Sequence, residues 1–223
     1  MNLLCVSFET VGNVNGKATL NDVINTTQLT SCDENGVNGD YINTWNMSIG
    51  NWGAAYQYIN ASAGWGEGYE NTWMSNDEPV NPIVDPGAAF WLYAVNDIPA
   101  LQFAGQVASG TINYTLTGGS MNLIANPFPT SLNLNDSSVV TIANKTSCDE
   151  NGLNGDYINT WNSAIGNWGT AYQYINASAG WGEGYEDTWM SNDEPCDTVI
   201  HAGTGFWYYA VGDNTTFTFA AQE

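Results

Sequence analysis

An internal repeat constrains this chain more than any other feature. Residues 30–79 align without a gap to residues 146–195, at an offset of 116, and only five of these fifty positions differ. The next eighteen positions keep only seven identities. A segment that recurs at a fixed distance indicates copies of one structural unit. The 223 residues therefore predict two tandem homologous modules, residues 1–108 and residues 109–223.

Short alternating apolar runs, separated by turns rich in glycine and asparagine, occur in each copy. In the first copy they are residues 41–45, 55–59, 89–95 and 101–107. They are rich in Tyr, Trp, Phe, Ile and Val, and a period of two is typical of strands. One short helical turn is expected at residues 21–24. The sequence predicts an all-β fold of two β-sandwich or barrel-like modules.

The charge balance excludes several classes of partner. The chain has 23 acidic residues and only two basic ones, Lys17 and Lys145, which gives a net charge of −21. Binding to DNA, RNA or an anionic membrane surface depends on clustered Lys and Arg. No segment approaches the roughly 18 consecutive apolar residues that a membrane span requires. We expect no nucleic-acid partner and no membrane span.

Two motifs mark the start and the end of the second module. Residues 122–129 read NLIANPFP, and residues 203–208 read GTGFWY. In this the chain resembles uncharacterised secreted bacterial tandem β-repeat proteins with modules of the type N-L-I-x-N-P-F-P … G-x-G-F-W-x-Y. The first copy departs from the pattern, with CVSFE at residues 5–9 and GAAFW at residues 87–91. The resemblance implies an extracellular or cell-surface location and a repeated architecture, and it implies no chemistry.

Four cysteines form an even set, which in a secreted chain favours disulfide bonds over free thiols. They are Cys5, Cys32, Cys148 and Cys196. We favour one bond within each module, Cys5–Cys32 and Cys148–Cys196. The rival pairing joins Cys5 of one chain to Cys196 of another and would link subunits covalently.

A loop rich in carboxylates and amides is a candidate metal site in each copy. Its oxygen ligands suit a hard cation such as Ca²⁺. The alternative interpretation is a solvated Asn-Gly turn between strands, and no other cofactor is expected. The candidate ligands are Asp33, Asn35, Asn38 and Asp40, with their equivalents Asp149, Asn151, Asn154 and Asp156.

The chain is also rich in aromatic residues, with 10 Trp and 12 Tyr. Some of these rings lie beside carboxylates, as they do in sugar-binding clefts, and the candidate platforms are Trp65, Tyr69, Trp181 and Tyr185. Packing within and between modules is the alternative role for them. A glycosidase pair is a third interpretation. The single histidine, His201, aligns with Asp85 and is not duplicated. We therefore expect no catalytic residues and no enzyme.

The favoured function is an extracellular structural protein, a subunit of a head-to-tail filament or surface array of copies of itself. The second copy has an additional strand candidate at residues 111–116, which the first copy lacks. The first module would then expose a sheet edge along residues 1–8 for strand addition. The C-terminal strand, residues 216–222, would fill it. The candidate assembly residues are Met1, Leu3, Phe8, Phe217 and Phe219.

The alternative function is a duplicated carbohydrate-binding module, whose partner would be a polysaccharide and whose avidity would come from the duplication.

Overall fold

The computed structural model describes residues 2–5, 8–9, 18–98, 101–108 and 110–221. Its fold is all-β, as the sequence predicts. The chain forms several antiparallel sheets, and within the described ranges none of them closes into a barrel. Each module is therefore sandwich-like.

The first module contains a six-stranded sheet in the order β1-β9-β4-β5-β6-β7, and two small two-stranded sheets, β3-β8 and β10-β2. Its strands are β1 (Asn2–Cys5), β2 (Phe8–Glu9), β3 (Ala18–Thr19), β4 (Tyr41–Asn46), β5 (Asn51–Ile59), β6 (Thr72–Ser75), β7 (Glu78–Val80), β8 (Ile83–Val84), β9 (Ala89–Tyr93) and β10 (Gln106–Val107).

The second module repeats this plan with a six-stranded sheet in the order β12-β20-β15-β16-β17-β18, a pair β13-β19 and a three-stranded sheet β11-β21-β14. Its strands are β11 (Ile112–Leu116), β12 (Ser120–Ala125), β13 (Leu132–Asn133), β14 (Val140–Ile142), β15 (Tyr157–Asn162), β16 (Asn167–Ile175), β17 (Thr188–Ser191), β18 (Glu194–Pro195), β19 (Val199–Ile200), β20 (Gly205–Ala210) and β21 (Thr215–Phe219).

Helical structure in the described residues is confined to short turns. The helix α1 (Leu20–Val23) forms where one turn was expected, and the 3-10 helices are Thr26–Gln28, Ala61–Ala63 and Ala177–Ala179. None of these helices has the length and apolar character needed to cross a membrane.

The core of the second module lies between its two larger sheets. Ile158 and Phe206 of the six-stranded sheet pack with Phe217 and Phe219 of β21, and all four side chains are buried. The first module has a separate core around Ile42, in which the six-stranded sheet packs against α1 and the residues that follow it. The alternation of inward and outward side chains along each strand explains both cores.

The additional strand forms in the second module, where β11 pairs with β21 from Ile112↔Phe219 to Leu116↔Thr215. In the first module, the run equivalent to β21 is residues 101–107. It forms only the bridge Ile24↔Phe103 and the short strand β10. The strand predicted there is therefore mostly absent from the described residues. A run with strand composition still needs a neighbour to hydrogen-bond with, and β21 has that neighbour in β11.

The two modules contact each other across a pseudo-two-fold axis. The ring centroids of Trp45 and Trp207 lie 4.5 Å apart, and those of their counterparts Trp161 and Trp91 lie 4.6 Å apart, both pairs edge to face. The isolated bridges are reciprocal in the same way, Leu4↔Thr204 and Ala88↔Ile124. Reciprocal contacts of this kind define an isologous interface, which is closed. A closed contact of this kind cannot repeat from subunit to subunit along a head-to-tail filament.

Candidate functional site

The acidic loop of each module is organised by its own first residue. The Asp33 carboxylate accepts hydrogen bonds from the Asn35 and Val37 backbone N–H groups and from the Asn38 side chain, at 2.9, 3.1 and 2.9 Å. These bonds lower the pKa of Asp33, with the Val37 N–H contributing most. Asp149 makes the same three contacts in the second module. The carboxylate therefore stabilises the turn.

The last carboxylate of the loop is turned inward. Asp40 is fully buried, and it accepts hydrogen bonds from the backbone N–H groups of Thr30 and Val95 at 2.8 and 2.7 Å. It thus joins the loop to the chain segment after β9 and does not share a ligand set with Asp33. In the described part of the chain, no three His, Cys, Asp or Glu side chains group as metal ligands would. A Ca²⁺ role for these loops stays a prediction.

The second module adds a buried polar network around the equivalent carboxylate. Asp156 accepts hydrogen bonds from the Thr146 and Val211 backbone N–H groups at 3.1 and 2.8 Å, and from the Tyr208 hydroxyl at 2.6 Å. Burial raises the pKa of Tyr208, and the nearby Asp156 charge raises it further. The first module has Leu92 in place of Tyr208. The network is therefore specific to the second copy.

Lys145 borders this network. Its ammonium lies 4.1 Å from the ring centroid of Tyr174, whose hydroxyl donates to Asp187 at 2.8 Å. Burial lowers the pKa of Lys145, and the charges of Asp187 and Asp156 oppose that shift. The cluster holds a cation inside an acidic module, next to two tyrosine hydroxyls that donate to carboxylates.

The candidate sugar platforms are engaged within the loops. Trp65 and Tyr69 stack on each other, with ring centroids 5.6 Å apart, and both rings are half-buried. The Trp65 indole N–H donates to the Asp33 carbonyl at 2.9 Å, and the Tyr69 hydroxyl donates to the Asp77 carbonyl at 3.2 Å. Trp181 and Tyr185 repeat the arrangement. Each ring covers one face of its neighbour, so these pairs pack the loop more than they present an open platform.

The described cysteines are free thiols. Cys32 and Cys148 are buried, and each packs in an apolar cluster with an isoleucine, an alanine and a methionine. Burial raises the pKa of both thiols. Cys196 directly follows β18, and its sulfur lies 3.7 Å from the Trp189 carbonyl oxygen. The bond Cys148–Cys196 that the sequence favoured is not formed here, because the two thiols occupy different environments. The side chain of Cys5 lies outside the described residues, so neither pairing that includes it can be placed.

The residues predicted for assembly are mostly inside the fold. Phe217 and Phe219 are fully buried, and their strand β21 is paired on both sides, with β11 and with β14. Leu3 is buried between the modules. The outer edge of β1 meets Thr204 of the second module. The expectation of a free C-terminal strand beside an open first strand is therefore corrected. Met1 and the side chain of Phe8 lie outside the described residues.

A cavity of about 720 Å³ lies where β11 passes the first module. Its lining includes Ile42, Phe90, Ile112 and Tyr114 and is mainly apolar, and its one carboxylate belongs to Asp85. The Tyr114 hydroxyl donates to the Pro86 carbonyl and so holds β11 against the first module.

Each module has an exposed hairpin arm that the sequence patterns did not predict as a site. β5 runs on beyond its neighbour β6, and residues 51–55 are all exposed. Trp52 on this arm is 50% exposed, and its ring still meets Trp45 edge to face at 5.5 Å. Residues 167–171 of β16 repeat the exposed stretch, with Trp168 at 49%. The signal in the sequence was the uncharged stretch shared by the two copies, residues 41–66 and 157–182.

Comparison with protein-family models, with curated proteins and with solved structures gives no match.

Proposed function

We propose that this chain is an extracellular structural protein whose copies assemble into a filament or surface array. The observation that carries the proposal is the duplication of one exposed, uncharged arm on a single chain. A subunit with two equivalent contact surfaces can join two neighbours, and contacts that do not close generate open assemblies. The arms border the intermodule interface, where the rings of Trp52 and Trp168 meet Trp207 and Trp91, but residues 51–55 and 167–171 remain exposed.

The polar groups support a structural role. The carboxylates of Asp33, Asp40, Asp149 and Asp156 accept hydrogen bonds from the protein itself. A catalytic carboxylate has to reach a substrate, and these four are committed to turns and to the core. We therefore propose no enzymatic activity for the chain.

The composition supports an extracellular location. With two lysines and no arginine, the chain offers very few cleavage sites to trypsin-like proteases. A surface dominated by uncharged polar residues suits long exposure outside the cell.

A duplicated carbohydrate-binding module is the second candidate. The half-exposed rings of Trp52 and Trp168 favour it, because an indole face that is open to solvent can stack on a sugar. On this alternative the arms would bind polysaccharide in place of a second subunit.

One experiment separates the two candidates. The native protein is followed by sedimentation velocity over a hundredfold range of concentration and imaged by negative-stain microscopy, and its retention on insoluble cellulose and chitin is measured. Filaments, or a mass that increases with concentration, support the structural role. Dispersed monomers at every concentration contradict it, and monomers retained on polysaccharide support the alternative.

A further inference from the structure

The outer edge of each arm is an unpaired strand edge. β6 pairs with β5 only from Gln57↔Met74 to Ile59↔Thr72. Residues 51–55 therefore have β4 on one side, and no described strand lies on the other. All five residues are exposed, as are residues 167–171 in the second module. An exposed row of unpaired N–H and C=O groups is a template for pairing with another strand.

These edges lack two of the features by which proteins usually prevent such pairing, namely charged residues and proline. Charged residues and proline protect edge strands. The edge strand on the same side of each sheet has both, since β7 begins with Glu78-Pro79 and β18 is Glu194-Pro195. The arm edges read NWGAA and NWGTA, and they lie in stretches of 26 residues without a charge or a proline.

The side chains of the first arm are small at Gly53, Ala54 and Ala55, and they leave its backbone accessible. A neighbouring strand in a sheet lies about 4.8 Å away, so an added strand would lie directly beside these residues.

The charge of the chain restricts which partner can supply the added strand. The chain carries a net charge of −21, so two copies repel each other over most of their surface. The arm edges themselves carry no charge, so two copies can pair them without placing one carboxylate directly opposite another. We infer that copies of this chain join by antiparallel pairing of the edges at residues 51–55 and 167–171. Because one chain has two such edges related by the pseudo-two-fold axis, the pairing links subunits into an open chain.

This inference rests on the proposed self-assembly and is tested by placing lysines on the edges. Ala54→Lys and Thr170→Lys alter exposed equivalent positions, and they bring like charges together when two edges pair. The matched control is Ala61→Lys with Ala177→Lys, which changes the net charge equally at exposed equivalent positions off the edge. Mass is measured by light scattering after size exclusion, and folding by circular dichroism.

We expect the double edge variant to be monomeric, because every pairing of two edges then brings two lysines together. The control should assemble as the wild type does. In the assembled wild type, the amides among residues 51–55 that point away from β4 should exchange at least tenfold more slowly than in the double variant.

The possible failures are distinguishable. Wild-type monomers at all concentrations would overturn the proposed function and this contact together. An assembling wild type whose double edge variant assembles equally would overturn only the contact. Loss of cellulose or chitin retention in the double variant, with a monomeric wild type, would identify the edges as a sugar-binding surface and contradict the inference.

Discussion

The hydrogen bond between Tyr208 and Asp156 allows a quantitative test of the second module's core. The Tyr208 hydroxyl is buried and donates to the carboxylate at 2.6 Å. A hydrogen bond to a charged group contributes about 1.5–3 kcal/mol to stability. We expect Tyr208→Phe to lower the free energy of unfolding by that amount, because the ring keeps its packing and only the hydroxyl is lost.

A double-mutant cycle isolates this bond from the rest of the network. Asp156→Asn alone should cost more than Tyr208→Phe, because it also weakens the bonds from the Thr146 and Val211 N–H groups. Combined with Tyr208→Phe it should cost less than the sum, with a coupling energy of about 1.5–3 kcal/mol. Urea unfolding followed by tryptophan fluorescence and circular dichroism gives the four free energies.

The first module supplies the control. Asp40 holds the equivalent backbone contacts, but Leu92 occupies the position of Tyr208. Asp40→Asn combined with Tyr208→Phe should therefore be additive, since the two residues share no partner. A coupling energy below about 0.5 kcal/mol for the Asp156 cycle, or an equal coupling for the Asp40 cycle, would refute the reasoning.

Three further predictions follow from the contacts. Trp207→Ala and Trp91→Ala should each lower the free energy of unfolding by about 3–5 kcal/mol in urea titrations. The two losses should be similar, because the pseudo-two-fold axis gives both rings the same environment. A loss of free energy ten times larger for one variant than for the other would argue against the axis. Cys196 should react with a thiol reagent faster than the two buried cysteines, whose pKa is raised by burial, and a Cys148–Cys196 bond in non-reducing peptide maps would contradict this. The pKa of Tyr208 is raised above the unfolded value of 10.0, so the unfolded state releases this proton first as the pH rises. The melting temperature should therefore not depend on this group below pH 10.0 and should fall as the pH rises above it. The melting temperature of a Tyr208→Phe variant should fall less over the same pH range.

The sequence predicted the strands better than it predicted their partners. A period of two identifies the strand at residues 41–45, and the structure has β4 there. The same pattern cannot tell whether Trp45 faces its own core or another module, because either surface is apolar. The ring lies against Trp207 of the second module, and its indole N–H donates to the Met121 carbonyl at 3.0 Å. Near-identity of two copies likewise does not distinguish a two-fold relation from a translation.

The predictions for the candidate sites depended on residue type alone. Asp33 and Asn38 have the right oxygens for a cation, but they satisfy each other at 2.9 Å. Which donors surround a carboxylate depends on loop conformation, and Asn38 adopts a left-handed φ of 61° that brings its side chain back to Asp33. Composition alone does not reveal this closure. The exposed arm edges were missed for a related reason, since a strand's free side is a property of the sheet and not of its own sequence.

The reciprocal contacts between the modules have a consequence for how the chain tolerates change. Such an interface is that of a homodimer whose two halves have been fused, and the linker keeps them together at any dilution. Separate identical chains must carry the same residue on both sides of their axis. The fused chain is free of that requirement. Gly205 in the second module is equivalent to Ala89 in the first, and a Cβ on Gly205 would come within 2.8 Å of the Leu3 side chain. A glycine in one half of the fused chain therefore leaves the space that the Leu3 side chain of the other half occupies.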